Sequence, residues 1–319
     1  KHHQVMYPNR NSTSMSSLDQ ISKVDEKIFL SQRQREDESN DPLKSGYFWI
    51  KPQRAWSTPN NAGSHRWTIT GHDMQVLTTT VPPGEQLVTE VGSFMFGNQG
   101  LVNEVELTLC SKQNYKEGCS RICGGESCVK VYLTNGSEQE GFVGLTPNFP
   151  AKIIPVKFGG HVGPDAHLIA KAGVYMSHLG KVDVGCDSDF SVATCCCAGL
   201  GCCRQKISSP SGKGTAFLAA GGTLVYRNLK PKETVIVDGT SLVAFEDSVE
   251  MGIIPSGRFC MCCLGGEGCF NTTLTGPGKI WFQSMSFAKF QAAVQQHQSE
   301  EMDRSGGAGA GDVIGAFAN

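Results

Sequence analysis

Cysteine is the residue type in this chain whose clustering could carry chemistry. The chain has 14 cysteines, and most of them lie in three short Gly-rich segments. Clustered thiols can form disulfides, bind zinc, accept an acyl chain or pack as small apolar groups. The three segments hold Cys123 and Cys128; Cys195, Cys196, Cys197, Cys202 and Cys203; and Cys262, Cys263 and Cys269.

The spacing of these cysteines favours packing over the other uses. Adjacent cysteines pair poorly with each other, and disulfide frameworks are typical of small secreted domains. A clean pair of C-x2-C units with histidine nearby is missing from the sequence, so the pattern does not predict zinc. We interpret the thiols as reduced groups that pack the Gly-rich loops against each other or against another subunit. Acylation beside a membrane is the alternative.

The middle of the chain holds histidines and aspartates that could serve hydrolysis or a metal. They come without an H-E-x-x-H or G-x-S-x-G motif, which favours surface or structural roles. Gly212-Lys213-Gly214 and the Gly-x-Gly-Lys sequence at residues 276–279 lack the spacing of a phosphate-binding loop. We therefore predict no catalytic residue, no metal ligand and no cofactor. The histidines and aspartates are His161, His167, His178, Asp165, Asp183, Asp187 and Asp189.

Composition excludes several classes of protein. The net charge of −2 gives no overall attraction to nucleic acid or to anionic lipid, so we predict no nucleic-acid partner. Charged residues make up only 18% of the chain, and there are 38 glycines, which together favour a turn-rich β protein. No apolar run approaches the roughly 18 residues of a membrane-spanning helix.

An internal repeat organises the body of the chain. Residues 81–95 and 229–243 share a Pro-x-Glu turn and a following strand at an offset of 148 residues. Residues 168–176 look like a third copy that has lost its proline. Each copy leads into one of the Gly/Cys segments and then into another pair of predicted strands. This predicts an all-β fold of three small sandwiches or barrels around a pseudo-threefold axis, with repeats at 67–150, 151–220 and 221–286.

Three stretches resemble the signatures of a known family: residues 144–155, 237–245 and 274–284, the last containing Gly276, Pro277, Gly278 and Trp281. In this order they are similar to the altered-inheritance-of-mitochondria family (number twenty-four), over roughly residues 67 to 290. The resemblance implies three domains like the tryptophan RNA-binding attenuation protein, each a double-stranded β-helix. It also implies self-association, and it supplies no catalytic residues. The cysteine-rich loops depart from the usual family pattern.

The segments outside the repeats are predicted to be connectors. Residues 1–45 are a polar arm, and 46–66 form an aromatic docking segment. Apolar spacing predicts one amphipathic helix over 287–302, followed by a Gly-rich tail at 303–319 with an apolar tip. The candidate contacts between subunits in these segments are Tyr47, Phe48, Trp49 and Trp56, and Val313, Ile314 and Phe317.

These observations predict a non-catalytic structural or scaffold protein that associates with itself, as a homo-oligomer or an extended assembly. The alternative is a membrane-organising protein that docks through its Cys/Gly-rich loops, as in mitochondrial organisation. Reduced thiols favour an intracellular, reducing compartment. The mitochondrial link of the family that the chain resembles implies an organelle matrix (mitochondrion or plastid) rather than the cytosol. The predicted partner is the chain itself, with a membrane surface as a second possibility.

Overall fold

The computed structural model describes residues 45–50, 66–107, 129–160, 162–163, 165–188, 203–255 and 270–295. The chain divides into two units, Lys1–Trp49 and Ile50–Asn319. In the first unit the described residues include one short strand, β1 (Phe48–Trp49). The other described strands belong to the second unit.

The second unit is built from short strands, as the all-β prediction required. Alternation of buried and half-buried residues is clear in strands such as β3, where one face packs on the core. The strands are β2 (Trp67–Thr70), β3 (Val76–Val81), β4 (Gln86–Thr89), β5 (Phe94–Gly97), β6 (Leu101–Leu107), β7 (Val129–Asn135), β8 (Gly141–Leu145), β9 (Lys152–Lys157), β10 (Leu168–Ala170), β11 (Tyr175–Leu179), β12 (Asp183–Ser188), β13 (Cys203–Ser208), β14 (Thr215–Ala220), β15 (Leu224–Leu229), β16 (Thr234–Val237), β17 (Leu242–Glu246), β18 (Glu250–Pro255), β19 (Phe270–Thr275) and β20 (Gly278–Gln283).

Eighteen of these strands form three sets of six with one pairing pattern: set 1 is β3–β8, set 2 is β9–β14 and set 3 is β15–β20. In each set the first and third strands pair with the sixth. The second and fourth strands pair with the fifth. All of these pairings are antiparallel.

The third strand of each set is bulged at the same place. Its register against the sixth strand shifts at Met95 in β5, at Met176 in β11 and at Val243 in β17. A bulge bends a strand and increases its twist. The three third strands therefore share a bend as well as a pairing partner.

Neighbouring sets are joined by strand pairing across their boundary. The second strand of set 1 (β4) pairs with the third strand of set 2 (β11), and the second strand of set 2 (β10) pairs with the third strand of set 3 (β17). The first join produces a sheet of order β6-β7-β4-β11-β14-β9, and the second produces the order β15-β20-β17-β10-β13-β12. Each join thus places three strands of one set and three strands of the next in a single sheet.

Each join also has its own apolar core. One core combines set 1 residues such as Leu87 and Leu133 with Met176 and Phe217 of set 2. In it the ring of Trp67 meets the ring of Phe217 edge to face, with centroids 5.3 Å apart. The second core combines residues of sets 2 and 3, including Trp281 on β20. Burial of apolar side chains therefore holds the sets together in addition to strand pairing.

The Pro-x-Glu turns before β4 and β16 have the same hydrogen bonds. The N–H of Glu85 donates to the Pro82 carbonyl, and the N–H of Glu233 donates to the Lys230 carbonyl, both over 3.0 Å. The residue before each glutamate has a positive φ, 71° at Gly84 and 66° at Lys232. The two turns are thus similar in backbone conformation as well as in sequence.

The signature residues at 276–281 lie where β19 turns into β20. A Cβ on Gly276 would lie 2.5 Å from the Leu229 Cβ and 2.6 Å from the Lys230 carbonyl oxygen, so this position requires glycine. The Gly276–Pro277 bond is cis, and Gly278 has a φ of 145°. The signature residues therefore allow this turn to pack closely against the end of β15.

The predicted C-terminal helix begins where the sequence places it. Residues 287–295 are helical, and the part predicted beyond residue 295 lies outside the described residues. Ser286 caps the helix, because its hydroxyl accepts the Lys289 N–H over 3.3 Å. Within the described part of the chain, no helix is long and apolar enough to cross a bilayer.

Candidate functional site

Two terminal strands occupy positions that elsewhere join one set to the next. β5, the third strand of set 1, ends the sheet β2-β3-β8-β5, and β16, the second strand of set 3, ends the sheet β16-β19-β18. Among the described strands, none pairs with the outer edge of either. We call the two together the open edges. At each of the two joins, a strand equivalent to β16 pairs with a strand equivalent to β5. Among the described strands, β16 and β5 themselves do not pair with each other.

The side chains of β5 are exposed where those of its counterparts are buried. Phe94, Met95 and Phe96 are all exposed. Met95 is 55% exposed, whereas Met176 and Val243, the bulged residues of β11 and β17, are 2% and 0% exposed. The difference arises because a neighbouring set covers β11 and β17. A solvent-facing row of large apolar residues on an edge strand is typical of a surface that binds another chain.

The open edge of β16 shows the same contrast. Ile236 is 61% exposed, although Val237 beside it is buried. Its counterpart on β10, Ile169, pairs with Phe245 of β17 and is 6% exposed. The covering strand thus explains the burial of Ile169, and Ile236 lacks such cover in the described part of the chain.

The ring of Phe96 lies directly on the backbone of Gly144 in β8. A Cβ on Gly144 would come within 2.4 Å of that ring, and these two residues face each other in the ladder. At the same place, set 2 pairs Ser177 with Phe217. Set 1 therefore carries the aromatic ring on its third strand and the small residue on its sixth, the reverse of set 2.

Set 3 follows the arrangement of set 2, with Ala244 opposite Trp281. The rings of Phe217 and Trp281 are buried, whereas Phe96 is 39% exposed. The aromatic ring of set 1 thus lies on the strand that forms the open edge, where it is partly exposed.

A charged network lies at the end of β16. The Asp238 carboxylate accepts hydrogen bonds from the Thr240 N–H (2.8 Å), the Ser241 hydroxyl (3.0 Å) and the Lys289 ammonium (2.8 Å). Burial opposes ionisation of Asp238, but the bonds from Lys289, Thr240 and Ser241 outweigh it and lower its pKa to about 2. The network ties the terminal helix to the turn that follows β16.

Set 2 reaches the same turn through Lys171. Its ammonium donates to the Thr240 carbonyl over 3.2 Å. Burial lowers the pKa of Lys171, and the nearby charge of Asp238 opposes this shift. The turn after β16 is therefore held from two sides, which fixes the position of this open edge.

The predicted cysteine contacts lie outside the described residues, apart from the backbone of Cys203, where β13 begins. The chain segments that hold them run from the fourth to the fifth strand of each set: 108–128, 189–202 and 256–269. Of the predicted connectors, Tyr47 and the strand Phe48–Trp49 belong to the first unit. Trp56, Val313, Ile314 and Phe317 also lie outside the described residues.

The histidines and aspartates weighed for chemistry include two with clear structural partners. The His178 Nδ1 lies 2.6 Å from the Tyr175 hydroxyl, and Asp187 forms a 2.7 Å ion pair with Arg204. Sequence reasoning missed β5 as a site. The apolar run Phe94-Met95-Phe96 is visible in the sequence, but it does not show whether a neighbouring strand covers β5.

Comparison with known proteins identifies the family. The model of the family described as Mitochondrial biogenesis AIM24 matches residues 67–285, which is more than half of the chain. The chain belongs to this family. The family resemblance drawn from the sequence signatures is therefore confirmed, and the AIM24 description links the chain to mitochondria.

A solved structure supports the fold. An X-ray crystal structure of a protein from Streptococcus pyogenes is similar to this AIM24 chain, with a TM-score of 0.56 and 18% sequence identity. The similarity covers 73% of this chain and 100% of that one. At this identity it shows the fold alone. No curated protein matches the chain significantly.

Proposed function

We propose that this AIM24 chain is a non-catalytic structural protein that acts by associating with copies of itself. The observation that carries the proposal is the exposed apolar row of Phe94, Met95 and Phe96 on a terminal strand. Exposed hydrophobic edge strands are normally avoided in monomeric proteins because they recruit other strands. The presence of an exposed hydrophobic edge strand therefore supports association with another chain.

The three strand sets are copies of one module of the attenuation-protein type, arranged around a pseudo-threefold axis. Support comes from the shared pairing pattern, from the bulge at Met95, Met176 and Val243, and from the repeated mode of joining. In such an architecture every set has a second strand and a third strand that can each pair with a neighbouring set. Self-association can then use the same kinds of strand edge that form the joins between sets.

The chain works inside mitochondria, in the reducing matrix. Support comes from the AIM24 family description and from the clustered cysteines, which are most useful as reduced packing groups. Cell fractionation with protease protection tests the compartment. Protein that is digested while the inner membrane is intact would contradict a matrix location.

Sedimentation of the purified chain over a wide concentration range tests self-association. The expected result is a mass that exceeds 34.3 kDa and rises with concentration. Because the contact is apolar, association should persist at high salt. A constant monomer mass at all concentrations would disprove the proposal. Deleting residues 306–319 tests the predicted tail connector separately, since the apolar row on β5 is unaffected by that deletion.

A second candidate function is organisation of a membrane surface. Phe287, Phe290 and Val294 recur at helical spacing on the terminal helix and are all exposed. The Phe287 ring also packs against the Phe149 ring, with centroids 5.3 Å apart, so the apolar face is covered in part. An amphipathic helix with an exposed apolar face can lie in a lipid interface. Flotation with liposomes made of neutral and of anionic lipids tests this function. Protein that stays at the bottom of both gradients would exclude it.

A further inference from the structure

We propose that a cavity at the join between sets 2 and 3 binds a small zwitterion with an apolar body, namely an apolar α-amino acid. The cavity has a volume of about 270 Å³, and both sets contribute to its walls. This volume lies just below the range of roughly 300–1,000 Å³ that is typical of pockets for drug-sized ligands, so a smaller molecule fits. The inference does not depend on the proposed self-association.

The floor of the cavity is apolar. Ile169 on β10 faces Phe245 on β17, and the two residues are 6% and 5% exposed. They lie on the face of the sheet away from the core of this join, since their neighbours such as Leu168 face that core. Val249 and Met251 of set 3 add further apolar surface to the cavity. The floor therefore suits an apolar group.

One ion pair in the wall of the cavity is internal to the protein. The Arg204 guanidinium on β13 pairs with the Asp187 carboxylate on β12 over 2.7 Å, and the Arg204 side chain is only 9% exposed. The same guanidinium donates to the Met251 sulfur over 3.6 Å, which ties it to set 3. Because the charges of Arg204 and Asp187 offset each other, a charged ligand has to be held by other groups.

Two such groups line the cavity, Lys206 and Asp247. Lys206 is half-buried and Asp247 is exposed. Within the part of the chain that the structure describes, neither side chain forms an ion pair or a hydrogen bond, with each other or with a third residue. A partly buried ammonium without a partner is unfavourable, so an anionic group beside Lys206 would be stabilising.

The strand register places the two charges on opposite sides of the apolar floor. Lys206 on β13 faces Ile169, and Ile169 faces Phe245. Asp247 follows two residues after Phe245, and its N–H donates to the His167 carbonyl over 3.0 Å, so it continues the same ladder and face. β13 and β17 are two strand spacings apart, roughly 10 Å. A ligand between the two charges meets an ammonium on one side and a carboxylate on the other.

The join between sets 1 and 2 shows that the fold does not require these charges. Counted from the bulge of the third strand, Gly180 takes the place of Asp247. Counted along the pairing with the second strand, Tyr132 takes the place of Lys206. The same join is therefore made without either charge, and the charges at the second join serve another purpose.

An α-amino acid matches this arrangement. Its carboxylate would accept hydrogen bonds from Lys206, and its ammonium would donate to Asp247. Its apolar side chain would cover the floor formed by Ile169 and Phe245 and leave water. Since Lys206 belongs to set 2 and Asp247 to set 3, the ligand would also connect the two sets.

Isothermal titration calorimetry of the full chain tests the ligand class. The probes are L-leucine, L-methionine and L-phenylalanine, and at least one of them should bind. The analogues of that amino acid that lack the amino group or the carboxyl group each lose one charge-assisted contact. Each analogue should bind about tenfold more weakly or worse. Failure of all three amino acids to bind would overturn the proposal, and so would an analogue that binds as well as the amino acid.

Two variants that each remove one charge locate the site. Lys206→Met and Asp247→Asn should each weaken binding about tenfold or more. The matched controls are Lys181→Met and Asp183→Asn, at exposed residues outside the cavity, and they should bind like the unchanged chain. Unchanged binding in either cavity variant would place the ligand elsewhere and overturn the proposal.

Thermal unfolding gives a second readout. A ligand that binds only the folded state raises the melting temperature as its concentration rises. The unchanged chain and both controls should show this increase, and the two cavity variants should lose it. Circular dichroism without ligand checks that every variant is folded. If a cavity variant fails to fold, the analogue series on the unchanged chain still decides the proposal. A chain that stays monomeric but binds the amino acid would contradict only the proposed self-association.

Discussion

Phe96 covers Gly144, and this pair reverses the order of large and small residues found in the other two strand sets. The ring on β5 rests against a backbone that has no side chain, whereas Phe217 and Trp281 project from the sixth strand of their sets. The reversal moves an aromatic ring from the covered interior of a set to its open edge. It makes set 1 different from sets 2 and 3 at the strand that would receive another chain.

Gly144→Ala should displace the Phe96 ring, because the new Cβ would lie 2.4 Å from it. Overpacking of this kind costs about 1–3 kcal/mol of the free energy of unfolding, measured by denaturant titration. Gly136→Ala is the control, since its Cβ would have no neighbour closer than 3.5 Å. Adding Phe96→Ala to Gly144→Ala should recover most of the loss. An unchanged stability in Gly144→Ala would contradict the described contact.

Phe217→Ala should destabilise the join between sets 1 and 2. The Phe217 side chain is fully buried and meets the Trp67 ring edge to face. Truncating a buried phenylalanine costs about 3–5 kcal/mol, and denaturant unfolding would measure this loss. Phe142→Ala, at an exposed phenylalanine on β8, is the control and should cost far less. Equal losses in the two variants would argue against the described core.

Lys232→Gly should stabilise the fold slightly. Lys232 has a φ of 66°, a conformation that costs side-chain-bearing residues roughly 1 kcal/mol and glycine almost nothing. Gly84 holds the equivalent place in the other Pro-x-Glu turn, with a φ of 71°, and a Cβ added there would have no neighbour within 4 Å. Gly84→Ala should therefore destabilise through backbone strain alone. Thermal unfolding of both variants tests this, and shifts of the same sign would contradict it.

Much of this fold could be predicted from local sequence. The Pro-x-Glu turns are predictable because proline and the residue before glutamate set the backbone locally. The helix is predictable because Phe287 and Phe290 recur at helical spacing after Ser286. Such features depend on residues a few positions apart, and the sequence contains all of them.

The open edges could not be predicted in this way. Phe94-Met95 on β5 is as apolar as Tyr175-Met176 on β11, yet only the latter is covered. Likewise Ile169 and Ile236 are the same residue in equivalent strands. Whether each is buried depends on a strand far away in the chain. Exposure at these positions is a property of the arrangement of sets and leaves no local sequence signal.

Asp238 makes the stability of the chain depend on pH in the acidic range. Its pKa in the folded state is about 2, below the ordinary value of 3.8. A carboxyl with a lowered pKa stabilises the fold when it is ionised in both states, that is, above the ordinary value. This contribution falls as the pH drops from about 4 toward 2, where the folded state must also take up the proton.

Asp238→Asn should remove this contribution while keeping the size and capping ability of the side chain. At pH 7 the variant should unfold at a lower temperature than the unchanged chain. The difference should shrink between about pH 4 and pH 2, because protonation of Asp238 removes the same charge. Lys289→Met removes one donor to Asp238 and should show a smaller difference over the same range. Thermal melts at closely spaced pH values measure both, and a difference that does not change with pH would refute the assigned role.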